Sequence, residues 1–139
     1  MHELSLSHSL VRCIEESLEA SLSDRPALAV RRVHLAIGEL SGVAIPALEF
    51  SFPIAAAGTL AAGATLVIRS VPVRVYCPHC DCDSELEDIQ RFRCRHCGQP
   101  TAQVRSGREM EIESLEIEVE EAYAYANSGT ASQPFESER

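Results

Sequence analysis

Cys77-Pro78-His79-Cys80 and, after thirteen further residues, Cys94-Arg95-His96-Cys97-Gly98 are the segments that decide how this chain is built. Each carries two thiols at the ends of one tight turn, so both sulfurs can face a single ion. The second turn then supplies the opposite edge of a tetrahedron. Gly98 stands where such a turn often needs a positive φ. Residues 77–100 offer Ile89 and Phe92 as their main apolar members, too few for a core. A bound metal must supply the missing stability, of order 10–16 kcal/mol for sites of this kind. Zn(II) on Cys77, Cys80, Cys94 and Cys97 is the expectation. Its role is structural, because four thiolates leave no position open for water. Iron in a rubredoxin-like site uses the same paired spacing and is the competing metal. His79 and His96 lie inside the turns, either as exposed turn residues or as groups that replace a thiolate or feel a second metal site nearby. Cys82 reads as a bystander able to exchange into the site.

Outward from this module the pattern is that of one small α+β fold. Leu6, Leu10, Ile14, Leu18 and Leu22 step by four, with Leu4, Val11 and Cys13 widening the stripe. That spacing predicts an amphipathic helix over 4–22, ended by Ser23-Asp24-Arg25-Pro26. Residues 28–37 read as a strand whose alternation slips at Arg31-Arg32, the mark of a bulge. Pro46 suits the first turn of a second helix that would bury Ala47, Leu48, Phe50 and Phe52, with Pro53 kinking or ending it. Residues 65–76 form a second strand in which Pro72 demands an edge or a bulge. A third spans Met110 to Val119, where Leu115, Ile117 and Val119 alternate with Glu116, Glu118 and Glu120. The expectation is a three-stranded sheet with two helices and an inserted zinc ribbon. By domain this gives 1–76 plus 101–122, the cysteine module at 77–100, and a disordered tail at 123–139.

Charge and composition exclude several functions. The chain of 139 residues has 45% hydrophobic residues, enough for a packed core, and a net charge of −9. Residues 1–76 carry six arginines against seven acids, 77–100 three against five, and 101–139 three against nine. No segment is basic, so a nucleic-acid partner is not expected. No apolar run reaches the roughly 18 residues of a membrane span, and Met1-His2-Glu3 does not resemble a secretory start. A cytoplasmic protein is expected, in which the cysteines read as metal ligands rather than disulfides; four of the six fall into the two pairs, and Cys13 and Cys82 are left over. An enzyme finds little support, since no nucleophile–base arrangement or phosphate-binding glycine loop is present.

Met1-His2-Glu3 is the second candidate metal site. An α-amine, the His2 amide and its imidazole fall within one chelating reach, and the Glu3 amide or carboxylate can complete a plane. Nitrogen-rich planar geometry suits Ni(II) or Cu(II) better than zinc. A helix starting at once would hold the chelate in place.

Met1-His2-Glu3-Leu4-Ser5-Leu6, Ile37-Gly38-Glu39-Leu40-Ser41, Leu48-Glu49-Phe50 and the paired cysteines, in this order, resemble the HypA/HybF family of hydrogenase-maturation nickel chaperones. The resemblance covers about residues 1–120. It implies nickel bound in the region of His2 and Glu3, structural zinc on the four cysteines, and delivery of nickel to the large subunit of nickel–iron hydrogenase. It also implies partnership with the GTPase HypB and, in some organisms, with urease maturation. The chain departs from the family at Gly42-Val43-Ala44-Ile45, where some members have an acidic side chain thought to assist nickel. Glu3, Glu39 or backbone nitrogens would have to take that part. The alternative is a zinc-ribbon adaptor that binds a protein without delivering nickel.

Overall fold

Leu6, Leu10, Ile14 and Leu18 all lie buried on one face of helix α1 (Glu3–Ser21), joined there by Val11. A computed structural model describes residues 3–21, 27–119 and 133–135. Leu22 falls outside them, while Leu4, at the first turn, is exposed. Each leucine removed from water contributes about 2 kcal/mol, so the stripe is what seats the helix.

Its partner is helix α2 (Ile45–Ala56), which opens with Pro46 in the first turn. The buried set is Leu48, Ser51, Phe52, Ala55 and Ala56, a single face at spacings of three and four. Ala47 and Phe50, expected inside, are exposed instead, with Ile54 beside them. Both sides of α2 are apolar, so periodicity could not choose between them. Packing against α1 did. Pro53 does not end the helix, which runs on to Ala56. Pro53 and Glu49, the residue whose carbonyl loses its partner, are both exposed. Between the helices the Ser7 and Ser51 hydroxyls pair at 2.7 Å, satisfying two buried polar groups.

The strands expected at 28–37, 65–76 and 110–119 are present, with one divided. They are β1 (Ala27–Gly38), β2 (Thr65–Val71), β3 (Arg74–Cys77) and, later in the chain, β6 (Met110–Val119). Pro72 divides the second because it has no N–H to give to a ladder. β2 then takes the edge of a sheet ordered β2-β1-β6-β7, where β7 is Gln133–Pro134, and β3 joins a different sheet. The last strand, β7 (Gln133–Pro134), adds a fourth member to the expected three. It pairs antiparallel with β6, placing Gln133 opposite Ile112 and Pro134 opposite Glu111, and Phe135 is buried after it. The tail expected to be disordered thus has an ordered strand at 133–134, because an aromatic anchor and two ladder residues hold it. The remainder of 123–139 lies outside the described residues. On β1 the consecutive Arg31 and Arg32 are both exposed, where the alternation slips.

The chain divides into two units. The first takes residues 1–35, 43–68 and 111–139, and the second takes 36–42 and 69–110. The second is wider than the stretch the cysteines mark. It contains a sheet ordered β4-β3-β5, where β4 is Cys82–Glu85 and β5 is Gln103–Ser106. A small core of Val73, Val75 and Leu86 sits on it, with Leu40, Phe92 and Val104 against it. Most of these residues lie outside 77–100, so the module draws apolar support from its flanks. Among the described residues no helix is long and apolar enough to cross a membrane.

Candidate metal centre

The two cysteine turns are built alike. In the first, β3 ends at Cys77, the loop carries Cys80, and Asp81 adopts a left-handed φ of 51° before β4 begins at Cys82. In the second, Gly98 takes the matching place after Cys97 with φ 77°. Asp tolerates this conformation better than most side chains, and its carboxylate accepts the Tyr76 hydroxyl at 2.5 Å. That bond, ahead of burial, raises the Tyr76 pKa. Arg105 stacks its guanidinium 4.7 Å from the Tyr76 ring centre and bonds Asp83 at 3.2 Å, fastening β5 to the hairpin.

Backbone bonds close the second turn. Cys94 donates its N–H to Gln99 O and accepts at its own carbonyl from Gly98 N–H, each at 2.9 Å. The His96 N–H points at Cys94 Sγ, 3.3 Å away. Two hydroxyls, one from the segment before β5 and one from β4, complete the frame. Thr101 Oγ1 donates to Tyr76 O at 2.5 Å, and Ser84 Oγ accepts the Arg95 N–H at 3.4 Å. Sequence reading missed both, because a lone Ser or Thr in a polar run carries no periodic signal.

The four sulfurs of Cys77, Cys80, Cys94 and Cys97 lie within 4.8 Å of one another. Cys77 and Cys97 are 3.6 Å apart and Cys80 and Cys94 3.9 Å. A tetrahedral ion with metal–sulfur bonds of about 2.3 Å separates its sulfurs by about 3.8 Å, so the cluster fits a tetrathiolate metal. The protein prepares unequal thiols for it. Cys94 is lowered to about 6, first by the backbone N–H of Cys97 and then by that of His96, despite burial. Cys80 is pushed up, first by its hydrogen bond to Cys97 sulfur and then by burial. Whatever protons the four thiols share must leave when an ion binds. Beside the cluster lies an open cleft of about 510 Å³ lined by Glu87, Asp88, Arg91, Arg93, Arg95 and Gly98. Within it Arg95 pairs with Glu87 at 3.4 Å.

His79 and His96 are exposed, and Cys82 stands outside the four-sulfur cluster. His2 lies outside the described residues. Glu3 begins α1 and its Oε2 accepts the Ala44 N–H at 3.2 Å, at the start of α2. Ala44 makes no side-chain cap of its own, so an acidic side chain from another helix serves the position where the chain lacks one. In the second unit Glu39 Oε1 accepts the Val73 N–H at 3.2 Å, while the Glu39 N–H bonds Val71 O at 3.0 Å. Glu39 thus bridges the break that Pro72 makes.

The helix pair, the two sheets and the four-sulfur cluster found among the described residues define a small metal-binding protein. Residues 1–117 match the family described as HypA, hydrogenase/urease nickel incorporation, metallochaperone, and the chain belongs to that family. A hydrogenase maturation factor HypA of Chloroflexus aurantiacus is 45% identical over 116 residues, covering 84% of this chain and 98% of the relative. One from Nitrosospira multiformis is 40% identical over 117 residues, covering 84% and 97%. The solution structure of the Ni metallochaperone HypA from Helicobacter pylori superposes with a TM-score of 0.61 at 26% identity, covering 84% of this chain and 97% of that one.

Proposed function

We propose that the chain is a cytoplasmic nickel chaperone that takes Ni(II) at its first residues and inserts it into the large subunit of nickel–iron hydrogenase. The match over residues 1–117 to a nickel-incorporation family carries this reading. The Met1 amine, the His2 amide and the His2 imidazole supply nitrogen donors, with Glu3 completing the set. A planar nitrogen chelate selects Ni(II) over Zn(II) by geometry, and its outer ring opens when a recipient offers better ligands. Glu3, the residue next to His2, accepts the Ala44 N–H at the start of α2 at 3.2 Å, so α1 is tied to α2 at its first residue. The Zn(II) ion on Cys77, Cys80, Cys94 and Cys97 shapes the second unit and does no chemistry. A HypB-type GTPase is the partner in transfer, and urease maturation factors are further recipients.

The test is calorimetric titration of Ni(II) into untagged protein and its His2→Ala variant. Wild type binds, the variant does not, and both retain zinc and the same far-ultraviolet dichroism. Binding weakens as pH falls, because coordinated amides must lose protons. An unchanged isotherm for His2→Ala refutes the chelate and leaves a zinc-ribbon adaptor.

A further inference from the structure

Cys82 is a fifth thiol in the second unit, and strand register fixes its neighbour. In the β3–β4 hairpin Cys77 and Cys82 are directly opposed, closing the loop that runs from Pro78 to Asp81. Opposed residues of antiparallel strands carry their side chains on one face, with Cα atoms about 4.5–5.5 Å apart. That separation lies within the roughly 4.4–6.8 Å a disulfide spans. Cys77 belongs to the four-sulfur cluster and is buried, whereas Cys82 is half-exposed and outside the cluster. One cross-strand pair therefore joins a sheltered metal ligand to a thiol that solvent reaches.

We propose that Cys82 is an oxidation site through which a hydroperoxide releases the tetrathiolate metal. Hydrogen peroxide breaks its O–O bond on the Cys82 thiol. One oxygen leaves as water and the other becomes the sulfenic acid, so the peroxide is reduced by two electrons and the sulfur oxidised. The Cys77 thiolate then attacks that sulfur. The S–S bond forms, the S–O bond breaks, and hydroxide departs to solvent. Cys77 is lost as a ligand, and three thiolates hold the ion more weakly than four. A dithiol reverses the step by exchange. This inference rests on the zinc reading of the cluster.

The experiment uses the full chain, whose zinc content is measured first. Hydrogen peroxide is added in stoichiometric amount, zinc release is followed with a chromophoric chelator, and disulfides are mapped by mass spectrometry of proteolytic peptides. The expected result is zinc release in step with a Cys77–Cys82 disulfide, reversed by dithiothreitol and added zinc. Both Cys82→Ser and Cys82→Ala keep zinc and lose it about tenfold more slowly under peroxide, as expected if Cys82, a thiol outside the cluster, and not the exposed cluster member Cys97, is the entry point. Protein that carries no zinc at the outset overturns both the zinc reading and the switch. Zinc that is present but leaves both variants at the wild-type rate overturns the switch alone. So does a first disulfide that excludes Cys82.

Discussion

Gly38 shows what one residue decides. A Cβ built there would lie 2.1 Å from the backbone carbon and oxygen of Gly107, where the Gly38 N–H reaches Glu109 O and the Leu40 N–H reaches Gly107 O. Backbone cannot yield as a flexible side chain does, so Gly38→Ala should cost about 3 kcal/mol, measured as a lower urea midpoint. Glu116 makes a contrasting case on the exposed sheet. Its carboxylate meets His34 at 2.5 Å and Arg32 at 2.7 Å, and these two, His34 first, lower its pKa. Arg31 pairs in parallel with Glu118. A carboxylate lowered on folding stabilises the native state above its unfolded pKa of about 4.3, and the contribution disappears as pH falls through the folded value. Glu116→Gln should therefore be less stable than wild type at neutral pH, with the difference closing in acid. Denaturant melts at the two pH values check this.

At the scale of elements, α1 was legible because its leucines keep one strict interval, and α2 was legible in existence but not in orientation. Phe52 is fully buried, while Phe50, two residues away, is 66% exposed. Phe52→Ala should cost about 3–5 kcal/mol, whereas Phe50→Ser should stay within about 0.5 kcal/mol. Thermal unfolding of the two variants separates the faces, and equal effects would reverse this assignment. β4 and β5 could not be read from sequence. Cys82-Asp83-Ser84-Glu85 and Gln103-Val104-Arg105-Ser106 have no apolar alternation. They become strands because β3 pairs with both, holding Tyr76 opposite Asp83 on one side and Gln103 on the other. The expected strand at 65–76 split for the opposite reason, since an apolar pattern runs through a proline that cannot donate.

Across the whole molecule, the first unit has the packed faces of α1 and α2, and the second has the four-cysteine cluster. Among the described residues the second unit has a small buried cluster of Val73, Val75 and Leu86, and a core of that size gives little independent stability. The first has the interlocked α1 and α2 faces. Removing the ion with a strong chelator should strip hydrogen-exchange protection from β3, β4 and β5 while the amides of α1 and α2 remain protected. Loss of protection everywhere at once would show that the two units unfold together. Sequence alone pointed to the four cysteines whose sulfurs the fold brings within 4.8 Å of one another, because two-residue spacing between cysteines is a local geometric constraint that survives any fold around it. It also determined α1 and the family. Only tertiary structure decided which side of α2 is core, which strand Pro72 divides, that Glu3 serves the α2 terminus at Ala44, and that Cys82 faces Cys77. Those outcomes depend on contacts between residues far apart in the chain, and no local pattern encodes which of two apolar faces, or which of two thiols, will meet a partner.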